Sequence, residues 1–139
     1  MLVLSENWVR LLTAMIAIDG TVYTIEVDAL EGILEEYTSF PSSILTDILK
    51  EMPLQLSQLD ALIQEITSEH SPKEVLYRIS LLYKIAVVEG PLIHEENDIL
   101  TKTISSLLGQ DAVDMTFKWL EQQRMADIQL QVILDHYKS

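Results

Sequence analysis

Residues 17–26 read AIDGTVYTIE, and seventy positions later residues 87–96 read VVEGPLIHEE. Each copy follows an apolar segment with helical spacing, carries an acid followed by glycine, and places a glutamate seven positions after the acid. The same shift of 70 superposes Leu12 on Leu82 in the preceding segments. The chain therefore contains an internal repeat of a helix–turn–helix unit, which points to a fold built from helical hairpins.

Apolar residues recur at helical intervals along the rest of the chain as well. The clearest start signal is 71–74, where a serine cap, a proline and a glutamate follow one another. No segment alternates long enough to form a strand. We predict an all-α, compact bundle of six to eight helices, over residues 6–19, about 24–37, 43–52, 56–67, 72–89, about 95–108, and 111 to the end with a break near 122–126.

Length and composition fit one soluble domain covering residues 1–139. The 22 acidic residues outnumber the nine Lys and Arg residues, for a net charge of −13. The electrostatic field of this charge repels phosphate backbones and attracts cations and basic proteins. We therefore expect no nucleic acid partner and favour a protein partner with a basic surface. The absence of cysteine excludes disulfides and thiolate metal sites. We find no signal peptide and no apolar stretch of roughly 20 residues, and therefore expect a cytoplasmic protein without a membrane span.

The acids of the repeat have a purely structural explanation. Glu26 and Glu96 fall at the third position of the second helix of each unit, where a carboxylate meets free amides and the positive end of the helix dipole. Asp19 and Glu89 fall in the last turn of the first helix, where a negative charge costs roughly 0.3–1 kcal/mol. Amides of the following turn would offset that cost, and so would a bound cation.

The spacing also favours a cation. The order acid, glycine, apolar residue and glutamate matches the second half of the calcium loop of an EF-hand. The residues at the positions of the first half offer no side-chain oxygen in either copy, so an ordinary EF-hand is excluded. If the two bends converge, four carboxylates gather and would suit a hard divalent ion such as Ca²⁺, Mg²⁺ or Mn²⁺. The candidate metal ligands are Asp19, Glu26, Glu89 and Glu96, with Asp28 and Asp98 in supporting positions.

The two stretches MIAIDGTVYTIEVDAL (15–30) and KIAVVEGPLIHEENDIL (84–100), within an acidic helical chain, resemble the TerB family of tellurite resistance proteins. A similar domain occurs in DjlA-type co-chaperones. The resemblance covers about residues 8–109 and leaves 110–139 as a C-terminal helical extension. It implies a helical bundle without known catalysis in bacterial stress and tellurite resistance systems, with metal bound by the four acids named above. The chain departs from the family pattern at Glu89, where the second copy usually has aspartate, and at Pro91.

Catalytic constellations are missing from the sequence. The three histidines lack metal-ligand spacing, and no Glu-x-x-His pair of a di-iron bundle occurs. Phe117, Trp119 and Leu120 form an amphipathic patch that is typical of ordinary core. We therefore expect a non-enzymatic module that binds a divalent cation or acts as a protein-interaction scaffold, with homodimerisation through the tail as a further hypothesis. The alternative is a hydrolytic or redox metalloenzyme that uses the same carboxylates.

Overall fold

The computed structural model describes residues 3–18, 20–69, 71–88 and 90–138. Within these residues the chain is all-α, as predicted, with seven α-helices and one short 3-10 turn. The helices are α1 (Glu6–Ile16), α2 (Thr24–Tyr37), α3 (Ser43–Leu49), α4 (Leu56–Thr67), α5 (Pro72–Ala86), α6 (His94–Leu108) and α7 (Val113–Lys138), and the 3-10 turn is Gln110–Ala112. None of the helices in the described segments is both long and apolar enough to cross a membrane.

The core is centred on the first helix of each repeat unit. From Trp8 to Ile16, α1 buries all its residues except Arg10, and it contacts α2, α3, α4 and α5. The equivalent helix α5 buries apolar residues through Ile79, Leu82 and Ile85 and packs against α1 and α6. Helix α5 is apolar on nearly every side, and such a helix is stable only when neighbouring helices cover it. This requirement explains the central position of α5.

The chain start and α5 are joined by a buried arginine. The guanidinium of Arg78 donates through Nη1 to the carbonyl of Glu74 and through Nη2 to the carbonyl of Val3, each at 2.8 Å. The next residue, Leu4, donates its backbone N–H to the carbonyl of Tyr37 at 3.0 Å. The start of α1, the middle of α5 and the end of α2 are therefore held together.

The predicted ends of three helices are wrong by three residues, and one of them is α3, which ends at Leu49 rather than at about 52. Helix α1 ends at Ile16 rather than at 19, and α5 ends at Ala86 rather than at 89. The next residues, Ala17 and Val87, have φ near −100° (−100° and −104°) and ψ near 0° (3° and 9°), which starts a turn. Apolar side chains continue past both points in the sequence, so periodicity alone overestimates the helix length.

The predicted break in the tail is also wrong. Helix α7 runs for 26 residues without interruption. Residues 122–126 are Gln, Gln, Arg, Met and Ala, all good helix formers, and no glycine or proline lies within the helix. The weakened apolar periodicity reflects a loss of burial and leaves the helical backbone intact.

Candidate functional site

The two bends of the repeat share one backbone hydrogen bond, whereas the φ angles of their glycines differ, at +83° for Gly20 and +154° for Gly90. The amide of Gly20 donates to the carbonyl of Ala17 at 3.0 Å, and the amide of Gly90 donates to the carbonyl of Val87 at 3.2 Å. Gly20 has a φ of +83°, a conformation that residues with a Cβ resist. The sequence repeat is thus also a structural repeat, and each unit turns at its glycine.

Glu26 and Glu96 cap their own helices. Oε1 of Glu26 accepts the backbone N–H of Tyr23, and Oε1 of Glu96 accepts the backbone N–H of Ile93, both at 3.0 Å. The two glutamates are 7% and 6% exposed, so these carboxylates are held inside the protein at the positive ends of α2 and α6. Neither Tyr23 nor Ile93 contributes a side-chain cap, and each unit therefore has the glutamate half of a capping box.

The supporting acids Asp28 and Asp98 are exposed. Asp98 Oδ2 lies 3.4 Å from Nε2 of His94, which is the first residue of α6 and is itself 83% exposed. This contact is a surface pair between neighbouring turns of one helix and is worth little to stability. Within the described residues, Asp28 and Asp98 are thus solvent-facing positions on the helices that follow the bends.

Asp19 and Glu89 lie outside the described residues, and the site made of four carboxylates stays a prediction. Elsewhere in the described segments, no group of three or more acidic or histidine side chains is arranged to hold a metal ion. Described residues next to the two bends lie toward different ends of α2. Val87 lines the same groove as Tyr37, the last residue of α2, whereas the first bend precedes the start of α2. The 14 residues of α2 span about 20 Å.

One ion at each bend is an alternative to the single shared site. Glu26 lies at the start of α2, and the end of α5 lines a groove together with the end of α2. Both arrangements depend on Asp19 and Glu89 and stay predictions.

A second candidate site is the far half of α7, which belongs to the tail that the sequence suggested for homodimerisation without identifying the residues involved. All the buried residues of this helix lie in its first eight positions: Val113, Thr116 and Leu120. Every residue from 125 to 137 is exposed, and we call residues 125–138 the projecting segment. Seven large apolar side chains of this segment are between 46% and 82% exposed: Met125, Ile128, Leu130, Val132, Ile133, Leu134 and Tyr137.

Helix α7 projects from the rest of the bundle, which we call the body (α1–α6 and the first half of α7), because the core-facing stripe of the helix becomes polar. Positions 113, 116 and 120 face the core, and the same side of the helix continues with Arg124, Asp127 and Gln131. A new apolar stripe begins at Ala126 and is rotated by about 100° around the helix axis. This rotation is the sequence signal that could have revealed the projecting segment.

The base of the projecting segment borders a groove of about 390 Å³. One wall comes from the ends of α2 and α5 and includes Tyr37, Lys84 and Val87, and the other comes from α7 and includes Arg124 and Ile128. Burial raises the pKa of Tyr37, and the nearby Glu36 carboxylate adds to this effect. The groove thus combines an apolar floor with two of the nine Lys and Arg residues of an acidic chain.

Two contacts fix α7 to the body just before it projects. The hydroxyl of Tyr83 donates a hydrogen bond to Oε2 of Glu121. Burial raises the pKa of Tyr83, and the hydrogen bond to Glu121 raises it further. The rings of Tyr77 and Trp119 meet edge to face with centroids 6.5 Å apart. The sequence pattern assigns three residues of this region to the core: Phe117, Trp119 and Leu120. Leu120 is 1% exposed, so the assignment is confirmed for that residue.

Comparison with known proteins adds no relative: no family model, no curated protein and no solved structure matches this chain significantly. Membership of the TerB family therefore stays a prediction that depends on the two short stretches around the bends.

Proposed function

We propose that this chain is a non-enzymatic, acidic helical module that acts as a protein-interaction scaffold, with the projecting segment as its docking element. The observation that supports the proposal is the exposure of seven large apolar side chains along one end of α7. Four of them, Leu130, Ile133, Leu134 and Tyr137, lie on one side of the helix, and contiguous apolar surface is uncommon on monomeric proteins and marks interaction sites. Covering it with a partner would gain roughly 25 cal/mol for each Å² of apolar surface removed from water.

The helical state of the segment supports the same proposal. An isolated helix shorter than about 12–15 residues is marginal in water. Here the first half of α7 is packed on the body and provides the preceding turns, so the segment extends an existing helix. A partner then meets a largely ordered surface and the ordering cost of binding is reduced.

The resemblance to TerB supplies the wider context of the proposal. It suggests a cytoplasmic role in a bacterial stress or tellurite resistance system, with Ca²⁺, Mg²⁺ or Mn²⁺ held at the bends for a structural purpose. The acidic body would favour a partner with a basic surface next to the apolar contact. The metalloenzyme alternative depends on the same four acids, Asp19, Glu26, Glu89 and Glu96, and likewise stays a hypothesis.

The test is partner capture followed by reconstitution. The full chain is immobilised and bound proteins are quantified by mass spectrometry. The comparison is a variant in which Leu130, Ile133, Leu134 and Tyr137 are all changed to Gln. Glutamine keeps a good helix propensity, and circular dichroism checks that the fold is retained.

We expect one or more proteins to be enriched by the wild-type chain and lost with the variant. A purified candidate must then bind in calorimetric titration with an affinity that the variant lowers at least tenfold. A matched control changes the exposed polar residues Gln122 and Gln129 to Glu and should bind as wild type. The proposal would be contradicted if the fourfold variant self-associates as the wild-type chain does and also binds every captured protein equally well.

A further inference from the structure

We infer that the occupant of the projecting segment is the same segment of a second copy, packed against it in antiparallel orientation. The inference rests on the proposed function, because it identifies the partner of that docking element. It follows from three properties of residues 125–138: the spacing of their apolar side chains, the sizes of those side chains, and the local charge.

The spacing is that of a helix–helix seam. Ala126, Leu130, Ile133 and Tyr137 follow one another at intervals of four, three and four residues, and all four are exposed. Positions with this spacing form one narrow stripe that meets a partner helix along its length. The stripe extends for twelve residues, or about 18 Å of helix.

The sizes of the side chains favour the antiparallel orientation. In that orientation the small Ala126 faces the large Tyr137 of the second copy, and Leu130 faces Ile133. A parallel pair would set alanine against alanine and tyrosine against tyrosine, which leaves a gap at one end and a clash at the other. Helix pairs fill the space between them best when large and small residues alternate across the interface.

The distribution of charge allows two acidic chains to associate through this segment. Residues 125–138 hold two aspartates and one lysine, a net charge of −1, so −12 of the total −13 belongs to the rest of the chain. The antiparallel arrangement places the two acidic bodies at opposite ends of the paired helices. A separation of that order exceeds the Debye length of about 8–10 Å at moderate ionic strength, so most of their repulsion is screened.

The interface is narrow, and we expect a dimer of micromolar affinity. One stripe of four or five side chains over about 18 Å falls at the low end of specific protein interfaces. The first measurement is light scattering on the full chain after size exclusion, from about 1 to 500 µM. The mass should rise from 15.8 kDa toward twice that value with concentration.

The matched variants change two apolar residues on each of two faces. The double variant Leu130→Gln with Ile133→Gln should stay monomeric over the whole range. The double variant Met125→Gln with Val132→Gln removes exposed apolar residues from another face of α7 and should dimerise as wild type. Equal loss of dimer in both double variants would overturn the assigned seam.

Orientation is tested by thiol cross-linking, which the absence of native cysteine makes clean. Ala126→Cys and Tyr137→Cys chains are prepared separately and treated with a short bismaleimide. We expect a strong cross-link in the mixture and little in either chain alone, because the two copies of position 126 are offset by about 16 Å along the helix axis in the antiparallel pair. Strong cross-linking of the Ala126→Cys chain with itself would establish a parallel pair and overturn the inference.

The outcomes separate this inference from the proposed function. A chain that remains at 15.8 kDa at every concentration overturns the dimer. If another protein is then captured in a manner that depends on Leu130 and Ile133, the docking function stands with a different partner. If neither self-association nor capture depends on the segment, both conclusions fall.

Discussion

Glu26 and Glu96 stand seventy residues apart and accept the same hydrogen bond, at 3.0 Å, from the backbone N–H three residues before each of them. Both carboxylates are buried at the start of the second helix of their repeat unit. A carboxylate in this place satisfies an amide that the helix leaves free and meets the positive end of the helix dipole. Their contribution to stability therefore needs no cation.

The first prediction concerns these caps. Glu26→Ala and Glu96→Ala should each lower the free energy of unfolding by about 1–2 kcal/mol, measured by urea denaturation with a chelator present. Glu26→Gln should lose less, because its amide oxygen still accepts the hydrogen bond. Asp28→Ala is the control on the exposed face of the same helix and should change stability by less than about 0.5 kcal/mol. Equal losses at 26 and 28 would rule out the capping role.

The second prediction concerns cation binding at the bends. If each bend binds its own ion, calorimetric titration with Ca²⁺, Mg²⁺ or Mn²⁺ should give two ions per chain. Asp19→Asn should then reduce the stoichiometry to one, and Asp19→Asn combined with Glu89→Gln should abolish the heat. The exposed acid Asp114, changed to Asn, is the control and should leave the titration unchanged. One ion per wild-type chain would instead support the shared four-carboxylate site, and no saturable heat at millimolar metal would leave the acids as caps.

The third prediction concerns the contact between Tyr83 and Glu121. Tyr83→Phe should lower stability at pH 7 by about 1–2 kcal/mol, because a partly buried hydrogen bond to a carboxylate is lost. The pKa of Tyr83 is raised in the folded protein above its ordinary value of 10.0. Its contribution is therefore complete below about pH 10 and disappears as the pH rises through the folded pKa.

Urea unfolding measured from pH 7 to 11 checks the sign of this effect. The difference between wild type and Tyr83→Phe should shrink above pH 10. The exposed Tyr77, changed to Phe, is the control, and its curve should run parallel to that of the wild type. A constant difference across the range would show that Tyr83 acts through packing alone.

The fourth prediction concerns Arg78. Arg78→Met should lower the free energy of unfolding by about 2–3 kcal/mol, because it removes two charge-assisted hydrogen bonds to backbone carbonyls. Burial also lowers the pKa of this guanidinium. Hydrogen exchange at the amide of Leu4 should accelerate, since that amide donates to the carbonyl of Tyr37 and lies in the released segment before α1. Arg10→Met is the control, because Arg10 makes only partly exposed ion pairs with Glu6 and Glu51, and its loss should cost less than about 1 kcal/mol.

The helices and the repeat could be predicted because both depend on local patterns. Apolar spacing located all the major helices, Gly20 and Gly90 marked the bends, and position within the unit identified Glu26 and Glu96 as caps. The ends of α1 and α5 could not be read from the same pattern. Ile18 and Val88 continue the apolar periodicity, whereas the backbone has already turned at Ala17 and Val87.

The candidate sites depend on tertiary structure and were harder to predict. Sequence spacing suggests that the acids of both bends converge, and this stays a prediction because Asp19 and Glu89 lie outside the described residues. Likewise, the apolar residues from Met125 to Tyr137 indicate a helix but do not show whether the rest of the chain covers it. Only the folded chain reveals that the body ends at Leu120 and leaves them uncovered.

The position of that last core contact has a consequence for how such a protein evolves. Mutations beyond Arg124 escape the selection that packing imposes on the body, since their side chains meet solvent in the single chain. A lineage can therefore replace this stretch and acquire a new binding specificity while the bundle folds as before. Under the proposed function, stability and recognition thus occupy consecutive turns of one helix and are free to diverge at different rates.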